Sequence, residues 1–220
     1  PRVAELLHRR DVVGYAELMQ HPETGSNSRG FTGGVPVTIP VTLQQYETLV
    51  SSGAFVDSSG QTELIHGRIV HMNPQGPEHA DPIDFLSEWS IEQDHRLITV
   101  RVEKPIRLKE QNSCPEPDIV WALRRRYRDR HPNADEVKLL IEVSISSVAF
   151  DRSEKMQLYA EAAIPEYWQV DVSERKVIVY RDPSAGSYRS VQTHRESSSI
   201  RPICHPSAIL AVANLFATDT

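Results

Sequence analysis

Two carboxylates and one lysine in this chain stand where their types invite chemistry. Asp118 follows Pro117 at the head of the short apolar segment "PDIVWAL", and Glu142 interrupts the apolar run Leu139-Leu140-Ile141-Glu142-Val143. A buried, ionised carboxylate without a partner costs several kcal/mol even after relaxation. Glu142 therefore pairs with an arginine, carries a proton, or shares a cation with another acid. Lys155 comes four residues after Asp151, the expected N-cap of the next helix. Its i+3 and i+4 neighbours, Leu158 and Tyr159, belong to that helix's apolar side, so Lys155 borders the buried face. The helix returns it close to the strand end that carries Glu142. Hard oxygen ligands with open positions suit Mg²⁺ or Mn²⁺. A lysine beside such an ion orients water and offsets charge developing on a phosphate, which is the chemistry of phosphodiester hydrolysis.

The elements that must position these groups are legible from periodicity. "TLQQYETLV" offers Thr42 and Gln45 as a capping box, with Leu43, Tyr46 and Val50 at helical spacing. "TELIHGRIVHM" predicts a hairpin turning at His66-Gly67. Asp81 followed by Pro82 reads as an N-cap and first helical residue, with Ile83, Phe85, Leu86 and Trp89 on the buried side. Ile98, Val100 and Val102 alternate with Thr99, Arg101 and Glu103, a strand with one wet face. "PDIVWAL" and "KLLIEVSI" read as central strands without alternation. A helix capped by Asp151 and Glu154 follows and runs to Ala163, and "EYWQVDVSERKVIVYR" closes as a hairpin. Trp121, Trp168 and Tyr167 read as core. The pattern is one sheet with helices against it, preceded by a Gly-, Ser- and Pro-rich linker over residues 21–36.

Composition narrows the classes. The chain has 220 residues, 39% hydrophobic, with a net charge of -6, which argues against broad coating of nucleic acid while leaving room for a local basic patch. "RRRYRDR" is such a patch: five arginines in seven residues directly after the Asp118 strand. Arg124, Arg125 and Arg126 would contact a phosphate backbone there, or the run is a solvated loop; Tyr127 stacks on a base or packs. Cys114 and Cys204 make neither a metal spacing nor a disulfide framework, and a reducing cytoplasm is the simplest setting. His66, His71, His95 and His131 lack a zinc spacing. No run approaches the ~18 apolar residues of a membrane span. A serine-nucleophile elbow, a P-loop and a dinucleotide glycine pattern are all absent from the sequence.

"TELIHGRIV", "PEPDIVW", "LLIEVSISS" and "DRSEKMQLYAEAAIPEYWQVD" occur in that order, and over roughly Thr38 to Phe216 the chain resembles the Uma-two family of endonucleases. That family belongs to the PD-(D/E)XK restriction-endonuclease-like superfamily. The resemblance implies an α/β fold, a mixed central sheet flanked by helices with additional hairpins, over residues 37–220. Residues 1–36 would be an N-terminal extension and linker. It implies that Asp118 and Glu142 are metal ligands for Mg²⁺ or Mn²⁺, with the Val143 carbonyl a further ligand. The superfamily's lysine usually stands two residues after the second acid, where this chain has Ser144; the resemblance assigns its role to Lys155. Glu63 would hold a second metal or a water, and His79 matches a histidine of the family that would face substrate. Two departures stand out: Ile145 replaces an aspartate of the family pattern, and Asp81-Pro82 breaks what is usually a longer helix.

The expected activity is metal-dependent hydrolysis of DNA, in the cytoplasm, by a homodimer. One alternative is a catalytically silent nucleic-acid-binding or regulatory module that retains the fold. Another is an interaction protein whose carboxylates are paired with arginines such as Arg101 or Arg152.

Overall fold

Strands that are apolar on both faces belong in the middle of a covered sheet, and this chain has several. In the computed structural model, which describes residues 39–56, 60–72, 74–93, 96–145 and 149–217, they form a six-stranded sheet. Its order is β3 (Ile98–Val102), β4 (Ile119–Leu123), β5 (Val137–Ser144), β6 (Glu166–Asp171), β7 (Lys176–Ser184) and β8 (Ser187–Arg195). β5 and β6 run parallel and the other neighbours antiparallel. The expected mixed α/β architecture is the one observed. The extension and linker expected over residues 1–36 lie outside the described residues.

Alternate residues of β5 serve two cores, which is why its sequence does not alternate. Leu139 and Ile141 pack on one face with Ile83, Leu86 and Trp89 of α2 (Pro77–Ile91). Leu140 packs on the other with Leu158 and Tyr159 of α3 (Ala149–Glu161). Trp121 and Trp168 are fully buried and Tyr167 nearly so. α3 is the crossover between the parallel strands β5 and β6, so its first turns lie over the C-terminal end of β5.

A hairpin of β1 (Gln61–Ile65) and β2 (Arg68–Met72) lies outside the large sheet and turns at His66-Gly67, as expected. Both turn residues have positive φ, 47° and 76°, the type that matches strand twist. Only glycine suits the second, because a Cβ on Gly67 would meet Pro40 at 2.7 Å and Asn112 at 2.9 Å. Leu64 exchanges backbone hydrogen bonds with Cys114, which fastens the hairpin to the segment leading into Asp118. Helix α1 (Leu43–Ser51) starts with the expected capping box of Thr42 and Gln45.

Two helix starts differ from expectation. α2 begins at Pro77, after Gly76, and runs through Asp81 and Pro82. "GPEHADP" holds two proline starts, and the earlier prevails because Ile83, Leu86 and Trp89 on the sheet outweigh the ~3 kcal/mol of an interior proline. α3 begins at Ala149, so Asp151 lies inside it and not at its N-cap. Strand β8, which sequence periodicity did not indicate, pairs with β7 over Lys176–Arg195; its own burial is too sparse to leave a pattern. Among the described residues no helix is long and apolar enough to cross a membrane.

Candidate active site

Glu142 leaves β5 on the face that Leu140 shares with α3, and α3 brings its answer. Lys155 Nζ donates to Glu142 Oε1 at 3.1 Å and to Oε2 at 3.4 Å, and also to Glu63 Oε1 at 3.1 Å. One turn further along α3, the Tyr159 hydroxyl donates to Glu142 Oε1 at 2.5 Å. Asp118, at the mouth of β4, takes the Val143 N–H on its Oδ2 at 2.6 Å. The hairpin delivers Glu63, whose Oε1 also accepts from the Glu116 N–H at 2.8 Å. Asp118, Glu142, Lys155 and Glu63, distant in sequence, thus line one cavity of about 470 Å³ together with His79 and Gln169.

Burial sets the electrostatics. The side chains of Glu63, Glu142 and Lys155 are only 2%, 12% and 18% exposed. Desolvation and the neighbouring Glu142 charge hold the Asp118 carboxyl well above the usual carboxylate range. Burial likewise raises Glu142, although Lys155 opposes it. Burial pulls the Lys155 ammonium down, but Glu142, Glu63 and Asp118 outweigh it and keep the group above its ordinary value. One ammonium faces three carboxyls, a deficit of positive charge in a dry site.

That deficit is what a divalent ion would offset. Glu63 Oε2 is buried and has no hydrogen-bond partner among the described residues, so an acceptor is left over in the same cavity. Hard oxygens of this kind fit Mg²⁺ or Mn²⁺. Among the described residues no group of three or more His, Cys, Asp or Glu side chains closes on one point. Asp118 and Glu142 would therefore need the Val143 carbonyl, and water or substrate oxygens, to complete a ligand set. The Val143 carbonyl already meets His79 Nε2 at 2.9 Å, while His79 Nδ1 meets Gln75 Oε1 at 2.7 Å. A carbonyl has two lone pairs, so His79 can steer it without consuming it.

Other expectations fare differently. Arg124, Arg125 and Arg126 do not join the cluster. They follow β4 at the end opposite Asp118, about 20 Å away along the strand, and Arg125 pairs with Glu136 at 2.8 Å. Among the described residues no arginine pairs with Asp118 or Glu142; Arg101 points instead at His131, and the Arg152 side chain lies outside the described residues. Ser144, at the superfamily's usual lysine position, and Ile145, where the family pattern has an aspartate, both line the cavity.

Sequence reasoning missed Tyr159 and Gln169. Tyr159 reads as core on an apolar helix face; the clue was a buried hydroxyl that needs an acceptor. Gln169, 3% exposed and in register with Glu142, is a polar residue in an apolar strand, the same signal that singled out Glu142.

Comparison with known proteins bears on the fold and the family. No curated protein matches the chain. Among solved structures, the crystal structure of a "putative nuclease belonging to DUF820" from Anabaena variabilis covers 80% of this chain and 98% of its own, with 18% identity and a TM-score of 0.61. At that identity the likeness speaks for the fold alone. A family profile described as "Putative restriction endonuclease" matches residues 43–213, which include Glu63, Asp118, Glu142 and Lys155, and the chain belongs to this family, Uma2.

Proposed function

We propose that the chain is a metal-dependent endonuclease that hydrolyses phosphodiester bonds of DNA. The observation that carries this reading is Lys155 Nζ, 3.1 Å from both Glu63 and Glu142 in a cavity that also holds Asp118. Membership of a restriction-endonuclease family supports the same class of reaction. Asp118, Glu142 and the Val143 carbonyl would hold Mg²⁺ or Mn²⁺, which when bound supplies Lewis acidity and a more acidic water. The chain's own residues do the rest. Lys155, held charged by three acids, donates to the attacked phosphate and offsets its growing negative charge. Glu63 Oε2, with no partner of its own among the described residues, accepts from the attacking water and orients it. Tyr159 fixes the rotamer of Glu142, and His79 fixes the Val143 carbonyl. Cutting both strands of a duplex calls for two such sites, so the working unit we infer is a homodimer.

The test is nicking of supercoiled plasmid by purified protein in Mn²⁺. Activity is expected in the parent chain and a loss of at least ~100-fold in Lys155→Ala. A parent protein that binds duplex but leaves it intact would instead be the silent binding module.

A further inference from the structure

Arg101 is a charged side chain that no carboxylate among the described residues pairs, and its Nε is buried without a hydrogen-bond partner among them. It stands on β3 opposite Val120 of β4, and directly opposed residues share a face. Val120 packs with Leu158 and Tyr159, so Arg101 rises from the face that carries Glu142 and Lys155. Two residues on, the Glu103 N–H donates to the Asp118 carbonyl at 2.8 Å. Arg101 is therefore about 7 Å along the strand from the level of Asp118.

Its guanidinium enters a second cavity of about 680 Å³, lined among others by Tyr46, Arg107, Glu116, Tyr127 and His131. Glu116 lines the first cavity as well, so the two adjoin at that residue. Hairpin strand β1 divides them: Gln61 and Glu63 face the acid cluster, and Thr62 faces Arg101.

The neighbouring arginines are neutralised. Arg107 pairs with Glu47 at 2.5 Å, and Arg125 and Arg130 share Glu136 at 2.8 and 2.5 Å. Arg101 has no carboxylate within ion-pair distance among the described residues. Its Nη2 donates to His131 Nδ1 at 2.9 Å, and its guanidinium lies 5.5 Å above the Tyr127 ring. Its Nε is buried without a partner among the described residues, and Nη1 makes no hydrogen bond among them. Arg128, exposed on the rim, likewise has no ion pair among them. The acids that line this cavity and oppose an anion are Glu116, on the shared wall, the exposed Asp129 on the rim, and Glu47, whose charge Arg107 offsets. A partly desolvated fork held flat by an aromatic ring is suited to a phosphate.

We propose that Arg101 anchors the nucleic-acid strand by a backbone phosphate flanking the one attacked at the Asp118, Glu142 and Lys155 cluster. The inference rests on the nuclease reading and makes Arg101, with Arg128 at the rim, the strand's positioning contact. The arginine run thus contributes through its second half, in a segment that folds back beside β3: the Arg125 N–H donates to Thr99 Oγ1 at 3.2 Å, and Arg101 Nη2 donates to His131 Nδ1 at 2.9 Å.

The experiment is fluorescence anisotropy of a labelled DNA duplex, with Ca²⁺ in place of Mg²⁺ and the duplex checked for integrity on a gel. Affinity is measured across a salt series, and folding is followed by urea denaturation. Arg101→Ala should reduce the slope of log K against log salt by about 0.9, the value of one phosphate contact. Its affinity should fall roughly 10-fold. Arg101→Lys, which keeps the charge and the stem, should keep the slope and bind about 3-fold more weakly because the fork is lost. If Arg101→Ala lowers the urea midpoint while its slope equals the parent's, Arg101 merely ties the 124–131 segment to the sheet and the anchor is overturned. Should Arg101→Ala not fold, Arg101→Lys with parental affinity overturns it as well. Parent protein that neither binds nor nicks duplex removes the nuclease reading itself, and the anchor with it.

Discussion

Asp118 pays for its position. Its side chain is almost wholly buried, beside Glu142, and what opposes the desolvation is chiefly the Val143 N–H and the charge of Lys155. The folded-state carboxyl therefore titrates above its unfolded value. In the pH window between the two, the native protein holds a proton that the unfolded chain has released, so stability falls as pH rises through it. Asp118→Asn keeps an acceptor for Val143 and removes the charge. We expect it to stabilise the metal-free protein at pH 7 by on the order of 1 kcal/mol, with no difference from the parent below the ordinary carboxyl range. Urea melts at pH 7 and pH 3 check this; an Asn variant less stable at pH 7 would refute the crowding. Residues of this kind are the ones a sequence exposes best. Glu142 was legible because a charge inside an apolar run needs an explanation, and Lys155 because helical spacing puts it at the border of a buried face. Arg101 was not: its alternating strand shows a wet face, but whether a guanidinium on that face has a partner is decided by chain that folds back from residues 124–133.

Helix α3 shows how an element converts spacing into a site. Lys155 and Tyr159 are one turn apart, so both reach the same Glu142 Oε1, at 3.1 and 2.5 Å. Tyr159 is itself held by its neighbours: its ring meets Tyr167 edge-on at 5.2 Å, and burial with the Glu142 charge pushes its hydroxyl well above the ordinary range. It is a proton donor locked in place. Tyr159→Phe fills the same volume and removes only that donor. Loss of such a supporting hydrogen bond typically costs ~10–100-fold in metal affinity or activity. We expect that loss in Mn²⁺ affinity, measured by calorimetry, with the urea midpoint nearly unchanged; parental Mn²⁺ affinity would leave Tyr159 a packing residue. At this scale the sequence was readable where local chemistry decides and not where packing decides. The Thr42 and Gln45 box and the His66-Gly67 turn are local, and both are as expected. The start of α2 is not, because Pro82 is carried inside by side chains that bury about two turns of helix on the sheet. β8 escaped notice because only Tyr188 among its residues is buried.

At the scale of the whole molecule, the buried acids among the described residues fall into two kinds, and the contrast separates scaffold from site. Glu166, fully buried, accepts from Trp168 Nε1, the Ile203 N–H and two nitrogens of Arg181. Glu136 accepts from Arg125, Arg130 and the Asn133 N–H. These carboxylates are satisfied and brace the sheet at places remote from Lys155. Glu63, Asp118 and Glu142 are crowded around one ammonium, the arrangement expected of a group that awaits a ligand. The two kinds should respond to pH in opposite senses. The Arg130 hydrogen bonds hold the Glu136 carboxyl down to about 2. Its folded value is thus below its unfolded one, near 4.5, so its contribution is complete above that pH and is lost as pH falls towards 2. Arg125 and Arg130 are partly exposed, at 50% and 30%, which screens the pair and brings the expected cost of Glu136→Gln at pH 7 to roughly 2 kcal/mol. That deficit should shrink as the pH is lowered from 4.5 towards 2, while any deficit caused by lost packing would stay constant. Tryptophan fluorescence suits the measurement, because Trp89 stacks on Trp121 at 5.3 Å and lies 6.0 Å from Trp168 inside the core, so the signal reports global unfolding. A pH-independent gap between Glu136→Gln and parent would show that the carboxylate braces by shape and not by charge.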